Sequence, residues 1–269
     1  MSPSSPKTSR ITVPRFTAAK SEGRKLSMLT AYDFSMATML DEAGVDGILV
    51  GDSMSMVVQG HENTLPVTLD EMVYHAEMVG RAARHALLVV DLPFPCCHLG
   101  VDRAVESAGR ILKVTQCQAV KLEGGAEQAG VIAGLVSAGI PVMAHVGLRP
   151  QSVHQLGSYR VQRDEVTLMT DAQAAEEAGA FAIVLECITA GIAKKITKKL
   201  RIPTIGIGAG VHCDGQILVI QDLLGITRGP LPRHVRPYAN LRETITNSVG
   251  RFCQDVRESR FPGAEQTFE

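Results

Sequence analysis

Gly47-Ile48-Leu49-Val50-Gly51-Asp52-Ser53 is the stretch on which the fold turns. Its unbroken aliphatic run reads as a strand buried on both faces, as in the parallel sheets of α/β proteins. A glycine then frees the backbone, and a carboxylate and a hydroxyl follow. In α/β barrels and open α/β sheets alike, ligand groups collect just past the carboxyl ends of such strands. Asp52 is therefore a candidate metal or substrate ligand, with helix capping as its plainer alternative. The pattern recurs along the chain, which weighs against capping as the whole account.

Upstream, residues 26–33 read as a strand ending in Asp33. A helical segment over 35–43 follows, which Asp33 is placed to cap and Gly44 to end. Beyond a loop over 53–67, Thr68-Leu69-Asp70-Glu71 has the spacing of a capping box. A third strand over 87–93 carries Asp91, and a helix over 101–114 leads to a fourth over 118–125. Side chains alternate along a strand, so Lys121 and Glu123 share a face. Such charges in a buried strand are paired with each other or coordinate something. The fifth strand, 141–147, carries His145. Residues 148–164 then read as a structureless loop, and loops of that length are usually functional lids. A helix over 165–178 precedes a sixth strand over 181–187, which carries Glu186. The seventh covers 203–210 and the eighth 216–221, and a last helix covers 241–258.

Eight strand-like segments alternating with helices predict an α/β fold with a parallel sheet. Polar groups at the ends of so many strands suit the converging mouth of a closed barrel better than the single switch point of an open sheet. A (β/α)8 TIM barrel is expected, as one catalytic domain over residues 25–269. At 269 residues the chain is near the roughly 250 typical of that fold. Residues 1–24 are expected to be an N-terminal arm. Residues 1–20 carry Lys7, Arg10, Arg15 and Lys20 and no acid, weakly like a targeting segment. Pro3, Pro6 and Pro14 disfavour an amphipathic helix there, so the arm is expected to be mobile. The net charge of −1, with mixed signs, gives no reason to expect a nucleic-acid partner. No apolar run reaches the ~18 residues of a membrane span. Six irregularly spaced cysteines and no apolar leader fit reduced thiols in the cytoplasm.

Several carboxylates converging on one mouth repel one another unless a cation or protons neutralise them. Oxygen donors without zinc-like spacing select a hard divalent ion such as Mg2+, which takes one or two protein carboxylates and keeps several waters. Asp52 and Asp91 are the first candidates, with Glu123 reaching the ion directly or through water. Cys96-Cys97-His98 suggests a softer metal, but adjacent cysteines seldom ligate one ion together. Gly206-Ile207-Gly208-Ala209-Gly210 suits either a phosphate cradle or close backbone approach. His145 reads equally as a buried neutral ring or as a substrate contact.

Taken together, several of these segments resemble the ketopantoate hydroxymethyltransferase family. They are Thr30-Ala31-Tyr32-Asp33, Val50-Gly51-Asp52-Ser53, Asp91-Leu92-Pro93-Phe94, Val120-Lys121-Leu122-Glu123-Gly124-Gly125, Ala144-His145-Val146-Gly147, Pro150-Gln151-Ser152-Val153 and Gly206-Ile207-Gly208-Ala209-Gly210. The resemblance runs in order from about Lys25 to Phe261-Pro262-Gly263. It implies a barrel with Mg2+, a cytosolic decamer, and transfer of a hydroxymethyl group from 5,10-methylenetetrahydrofolate to 3-methyl-2-oxobutanoate. It also implies metal ligands at Asp52, Asp91 and Glu123, substrate contacts at Asp52, Ser53, Asp91 and Lys121, and a general base at Glu186. The sequence departs from the family at Pro95-Cys96-Cys97-His98 and at Arg160-Val161-Gln162-Arg163, away from the implied ligands.

Keto-acid chelation by Mg2+ would stabilise an enolate, and Glu186 would take the C3 proton. Two rivals stand beside this reading. One is another Mg2+-enolate carbon–carbon lyase of the phosphoenolpyruvate and isocitrate lyase kind. The other is a non-catalytic barrel scaffold, which idle buried carboxylates argue against.

Overall fold

The structure, a computed structural model, describes residues 9–268. In chain order the first elements are α1 (Val13–Ser21), β1 (Leu26–Thr30), α2 (Phe34–Glu42), β2 (Gly47–Val50), α3 (Met54–Val57), α4 (Leu69–Ala82), β3 (Leu87–Asp91) and α5 (Val101–Val114). There follow β4 (Ala119–Glu123), α6 (Ala129–Ser137), β5 (Val142–Gly147), α7 (Val153–Leu156), α8 (Glu165–Glu177), β6 (Ala182–Glu186), α9 (Ala190–Lys199), β7 (Thr204–Ile207) and β8 (Gly215–Leu218). The strands close in sequence order into a parallel barrel, with β8 pairing back onto β1. The expected (β/α)8 TIM barrel is the fold observed.

Every residue of β2, β3 and β4 is buried, as their near-continuous apolar runs require of strands covered on both faces. Met28, Leu49, Val89, Met143, Val184 and Ile205 pack inside one continuous apolar cluster. Bulky side chains filling the interior make such a barrel a packed core and leave chemistry to its rim. The capping box at Thr68 is present, with the Thr68 side chain and Glu71 satisfying each other's backbone N–H.

Residues 9–24 correct the expectation of a mobile arm, while residues 1–8 lie outside the described residues. Thr12 caps α1, and Pro14 falls in its first turn, where the missing N–H costs nothing. Phe16 and Ala19 are completely buried in the same cluster as Leu26, Leu87, Ala119 and Phe181, at the starts of the strands. Lys20 Nζ donates to Asp214 Oδ2 and to Thr197 O, each at 2.7 Å. Helix α1 therefore stoppers the amino-terminal end of the barrel.

Three other expectations change. Strand β1 stops at Thr30 because Asp33 is committed to α2, accepting from Met36 N at 2.8 Å. No helix intervenes between β7 and β8, and β8 is Gly215–Leu218. Gly215 pairs with Ile205, so the chain returns only from the level of Ile207, ~7 Å at ~3.3 Å per residue, which residues 208–214 span easily. Residues 148–164 are not structureless: Pro150–Ser152 form a 3-10 turn, α7 follows, and Gln162 bridges to Ile188. Gly157, at φ +72°, ends α7 as a left-handed cap.

The chain divides into two compact units, one ending at Val219 and one beginning at Ile220. The second holds α10 (Ile220–Leu223) and α11 (Leu241–Arg257). Leu241 N donates to Leu224 O, and Asn240 caps α11. Ile245, Val249, Phe252 and Val256 form an exposed apolar row along α11. No helix among the described residues is long and apolar enough to cross a membrane.

Candidate active site

The carboxyl ends of β2 to β6 bring together most of the groups singled out in the sequence. Register sets Asp91 beside Lys121 and Glu123 beside His145 on neighbouring strands. Asp52, Asp91, Lys121, Glu123 and His145 are each at most 6 % exposed. Lys121 Nζ lies 2.9 Å from Asp91 Oδ1 and 3.3 Å from His145 Nδ1. His145 Nε2 lies 3.0 Å from Glu186 Oε2, close but not aligned as a hydrogen bond. Asp91 Oδ2 accepts the Asp52 backbone N–H at 3.0 Å. Ser53 turns its hydroxyl to Tyr32 OH at 2.8 Å rather than capping α3. Asp33 is spent on its cap.

Burial dominates the electrostatics. It pushes the Asp91 carboxyl up to about 7, against the pull of Lys121 and with a push from Asp52. It drives Glu123 well above the usual carboxylate range, with Asp52 adding to the rise. Burial alone would lower Lys121, but Asp91, Asp52 and Glu123 outweigh it and hold the ammonium protonated. Burial and then Lys121 lower His145, so its ring is neutral. With Lys121 donating, Nδ1 accepts and the ring proton is assigned to Nε2, facing Glu186. Both ring nitrogens thus face protein groups, and a substrate contact by His145 would displace one of them.

Three buried acids around one ammonium would leave an excess of negative charge if all were ionised. Burial and mutual repulsion hold protons on Asp91 and Glu123 in its place. Glu123 Oε1 is buried without a hydrogen-bond partner, and Asp91 Oδ1 is ion-paired with Lys121 Nζ. Clustered acid oxygens, one of them unpartnered, fit a hard divalent cation that would displace the held protons. Among the described residues no three His, Cys, Asp or Glu side chains stand as a ready-made metal cage.

Folding raises the Asp91 pKa, so metal-free native protein holds a proton that the unfolded chain releases above its ordinary value of ~3.9. The metal-free fold should therefore lose stability as pH rises from about 4 to about 7. Glu123 contributes in the same direction. Melting of chelator-treated protein should show this fall, saturating Mg2+ should flatten it, and Asp91→Asn should reduce it. A metal-free melting temperature insensitive to Asp91→Asn across that window would contradict the assignment.

Gln151 and Tyr32 belong to this site, although sequence reading assigned neither a role. Gln151 Nε2 donates to Asp52 Oδ2 at 2.8 Å and to Leu92 O at 3.1 Å, and its backbone N–H donates to Glu123 Oε2 at 3.0 Å. The buried Tyr32 phenol has its pKa raised, first by burial, and remains neutral. Neither has a periodicity or charge that would mark it. Gly147, at φ +99°, brings β5 against β6, and a Cβ there would lie 2.2 Å from Glu186 O. Cys187 at φ +47° follows Glu186, and non-glycine residues so placed cost ~1–3 kcal/mol and cluster at functional sites.

Two sequence questions close here. Burial pushes up the thiol pKa of both Cys96 and Cys97, so neither is a thiolate in the metal-free protein. A Cβ on Gly206 would meet Cys213 Sγ at 2.9 Å, and one on Gly210 would meet Ala190 Cβ at 2.7 Å. Close approach accounts for those glycines.

Solved structures share the fold. The crystal structure of phosphonopyruvate hydrolase in complex with oxalate and Mg++ superposes with TM-score 0.61 at 14% identity, covering 93% of this chain and 90% of that one. The trigonal form of 2,3-dimethylmalate lyase gives 0.59 at 17% identity, covering 93% and 89%. Sequence relatives are much nearer. The 3-methyl-2-oxobutanoate hydroxymethyltransferase of Rhodopirellula baltica is 53% identical over 269 residues, all of both chains. That of Desulforapulum autotrophicum is 51% identical, covering 97% of this chain and 99% of its own. The profile of the family described as Ketopantoate hydroxymethyltransferase matches residues 10–264, and on these grounds the chain is an enzyme that belongs to the ketopantoate hydroxymethyltransferase family.

Proposed function

We propose that the chain transfers a hydroxymethyl group from 5,10-methylenetetrahydrofolate to 3-methyl-2-oxobutanoate, giving 2-dehydropantoate on the route to pantothenate. The observation that carries this reading is the pairing of two features at one barrel mouth. One is a buried carboxylate cluster. The other is Glu186, which stands across His145 from Lys121. Asp52 and Asp91 would hold Mg2+, with Glu123 reaching it directly or through water. When bound, the ion supplies Lewis acidity to the oxygens of an α-keto acid.

The remaining work falls to the chain's own side chains. Ser53 and Lys121 bind the substrate carboxylate, Lys121 as a protonated point charge. A protonated amine is a poor nucleophile, so a Schiff base at Lys121 is disfavoured. Glu186 takes the proton from C3 of the keto acid, with the neutral His145 ring 3.0 Å from its carboxylate. C3 then bonds to the one-carbon unit as the first of that unit's two bonds to folate nitrogens breaks. Water supplies the hydroxyl as the second breaks, and the two nitrogens take up the proton lost from C3 and one from water, releasing tetrahydrofolate. We also propose a cytosolic homo-oligomer, a decamer by the family resemblance. Light scattering tests the assembly size.

Proton exchange at C3 of 3-methyl-2-oxobutanoate, followed by NMR in D2O, tests the reading because it needs proton removal alone. Exchange should require Mg2+ and proceed without folate. Asp52→Asn and Asp91→Asn should fold yet lose Mg2+ affinity and exchange together. Calorimetric Mg2+ affinity unchanged in both variants would remove them as ligands.

A further inference from the structure

We propose that Gln151 is a positioning residue that presets the carboxylates of Asp52 and Glu123 to receive a divalent cation. The inference rests on the metal reading above and goes beyond it by assigning how the cluster is aimed. Gln151 lies outside the barrel strands, just past β5, yet its bonds reach the ends of three of them. Its amide spans Asp52 Oδ2 after β2 and Leu92 O after β3, and its backbone holds Glu123 Oε2 at the end of β4.

Local sequence explains why it can do so. Pro150 opens the 3-10 turn with its backbone angle already set. The next N–H, that of Gln151, is one of the donors that a turn's start leaves without an internal partner. The Glu123 carboxylate takes it. Both amide acceptors, Asp52 Oδ2 and Leu92 O, demand N–H donors, so the NH2 end must face them and the amide orientation is determined.

The consequence concerns the other oxygens. A carboxylate's terminal torsion is broad and nearly free unless something holds it. Gln151 holds one oxygen of Asp52 and one of Glu123, while Glu123 Oε1 is left buried without a hydrogen-bond partner, 3.8 Å from His145 Nδ1. A neutral amide orients the two acids without supplying the positive charge that a cation would bring. Lys or Arg at the same place would compete with the ion. Groups that orient metal ligands through hydrogen bonds typically change metal affinity by ~10- to 100-fold when removed.

Gln151→Met keeps the length and volume of the side chain and deletes the donors to Asp52 and Leu92. In the full chain, calorimetry should give Mg2+ affinity ~10- to 100-fold below wild type. C3-proton exchange at limiting Mg2+ should fall by a similar factor and recover at saturating Mg2+. A residue that merely supported the fold would not give this rescue. If Gln151→Met does not fold, Gln151→Ala is read by the same measurements. Unchanged Mg2+ affinity in the folded variant, or lost exchange that saturating Mg2+ does not restore, overturns the assignment. Wild-type protein that binds no Mg2+ overturns the metal reading itself, so the two failures are separable.

Discussion

Glu186→Gln should slow C3-proton exchange by roughly 10²- to 10⁴-fold, the usual cost of losing a positioned general base. Glutamine preserves the volume and an oxygen for the Nε2 side of His145, 3.0 Å away in the native site, but it cannot accept a proton. Glu186 ends β6, where Gly147 lets β5 close against its backbone carbonyl, so the backbone has no cause to move. Melting temperature and keto-acid binding should therefore stay near wild type while exchange falls. A purely structural acceptor would show the reverse, with lower stability and intact exchange. Exchange at the wild-type rate in the variant would mean that another group takes the proton, with His145 the nearest alternative.

Phe16→Ala should cost ~3–5 kcal/mol, the range for deleting a fully buried aromatic side chain. Phe16 has no exposed surface and meets the Phe181 ring edge-to-face at a centroid distance of 5.9 Å. It is the apolar anchor of α1, whose polar ties to Phe181 O, Thr197 O and Asp214 depend on the helix lying in place. Truncation would open the amino-terminal end of the barrel core, a cavity that α1 cannot collapse to fill while those ties hold it. At ~2–4 °C per kcal/mol, the loss should appear as a fall of roughly 6–20 °C in melting temperature. Phe16→Leu should lose less. A loss below ~1 kcal/mol for the alanine variant would show that α1 does not carry the closure of that end.

Sequence alone determined the parallel barrel, because buried strands announce themselves as apolar runs and turn chemistry punctuates them. Val50-Gly51-Asp52 and Val90-Asp91-Leu92-Pro93 illustrate both signals. It also placed the charged groups of the site. Chain order puts every strand's carboxyl end on one rim, so Asp52, Asp91, Lys121, Glu123 and Glu186 had to share it once the barrel was granted. Tertiary structure decided what no local pattern encodes. Pro14 reads as a helix breaker until Phe16 finds an open barrel end to fill, and that packing, not propensity, makes α1. The missing β7–β8 helix follows from a register offset between strands, which is a property of the closed sheet. His145 became the link between Lys121 and Glu186, and Gln151 the brace of two acids, only through distances between residues far apart in the chain. Hydrogen bonds to carboxylates act over ~3 Å in space and leave no period in a sequence.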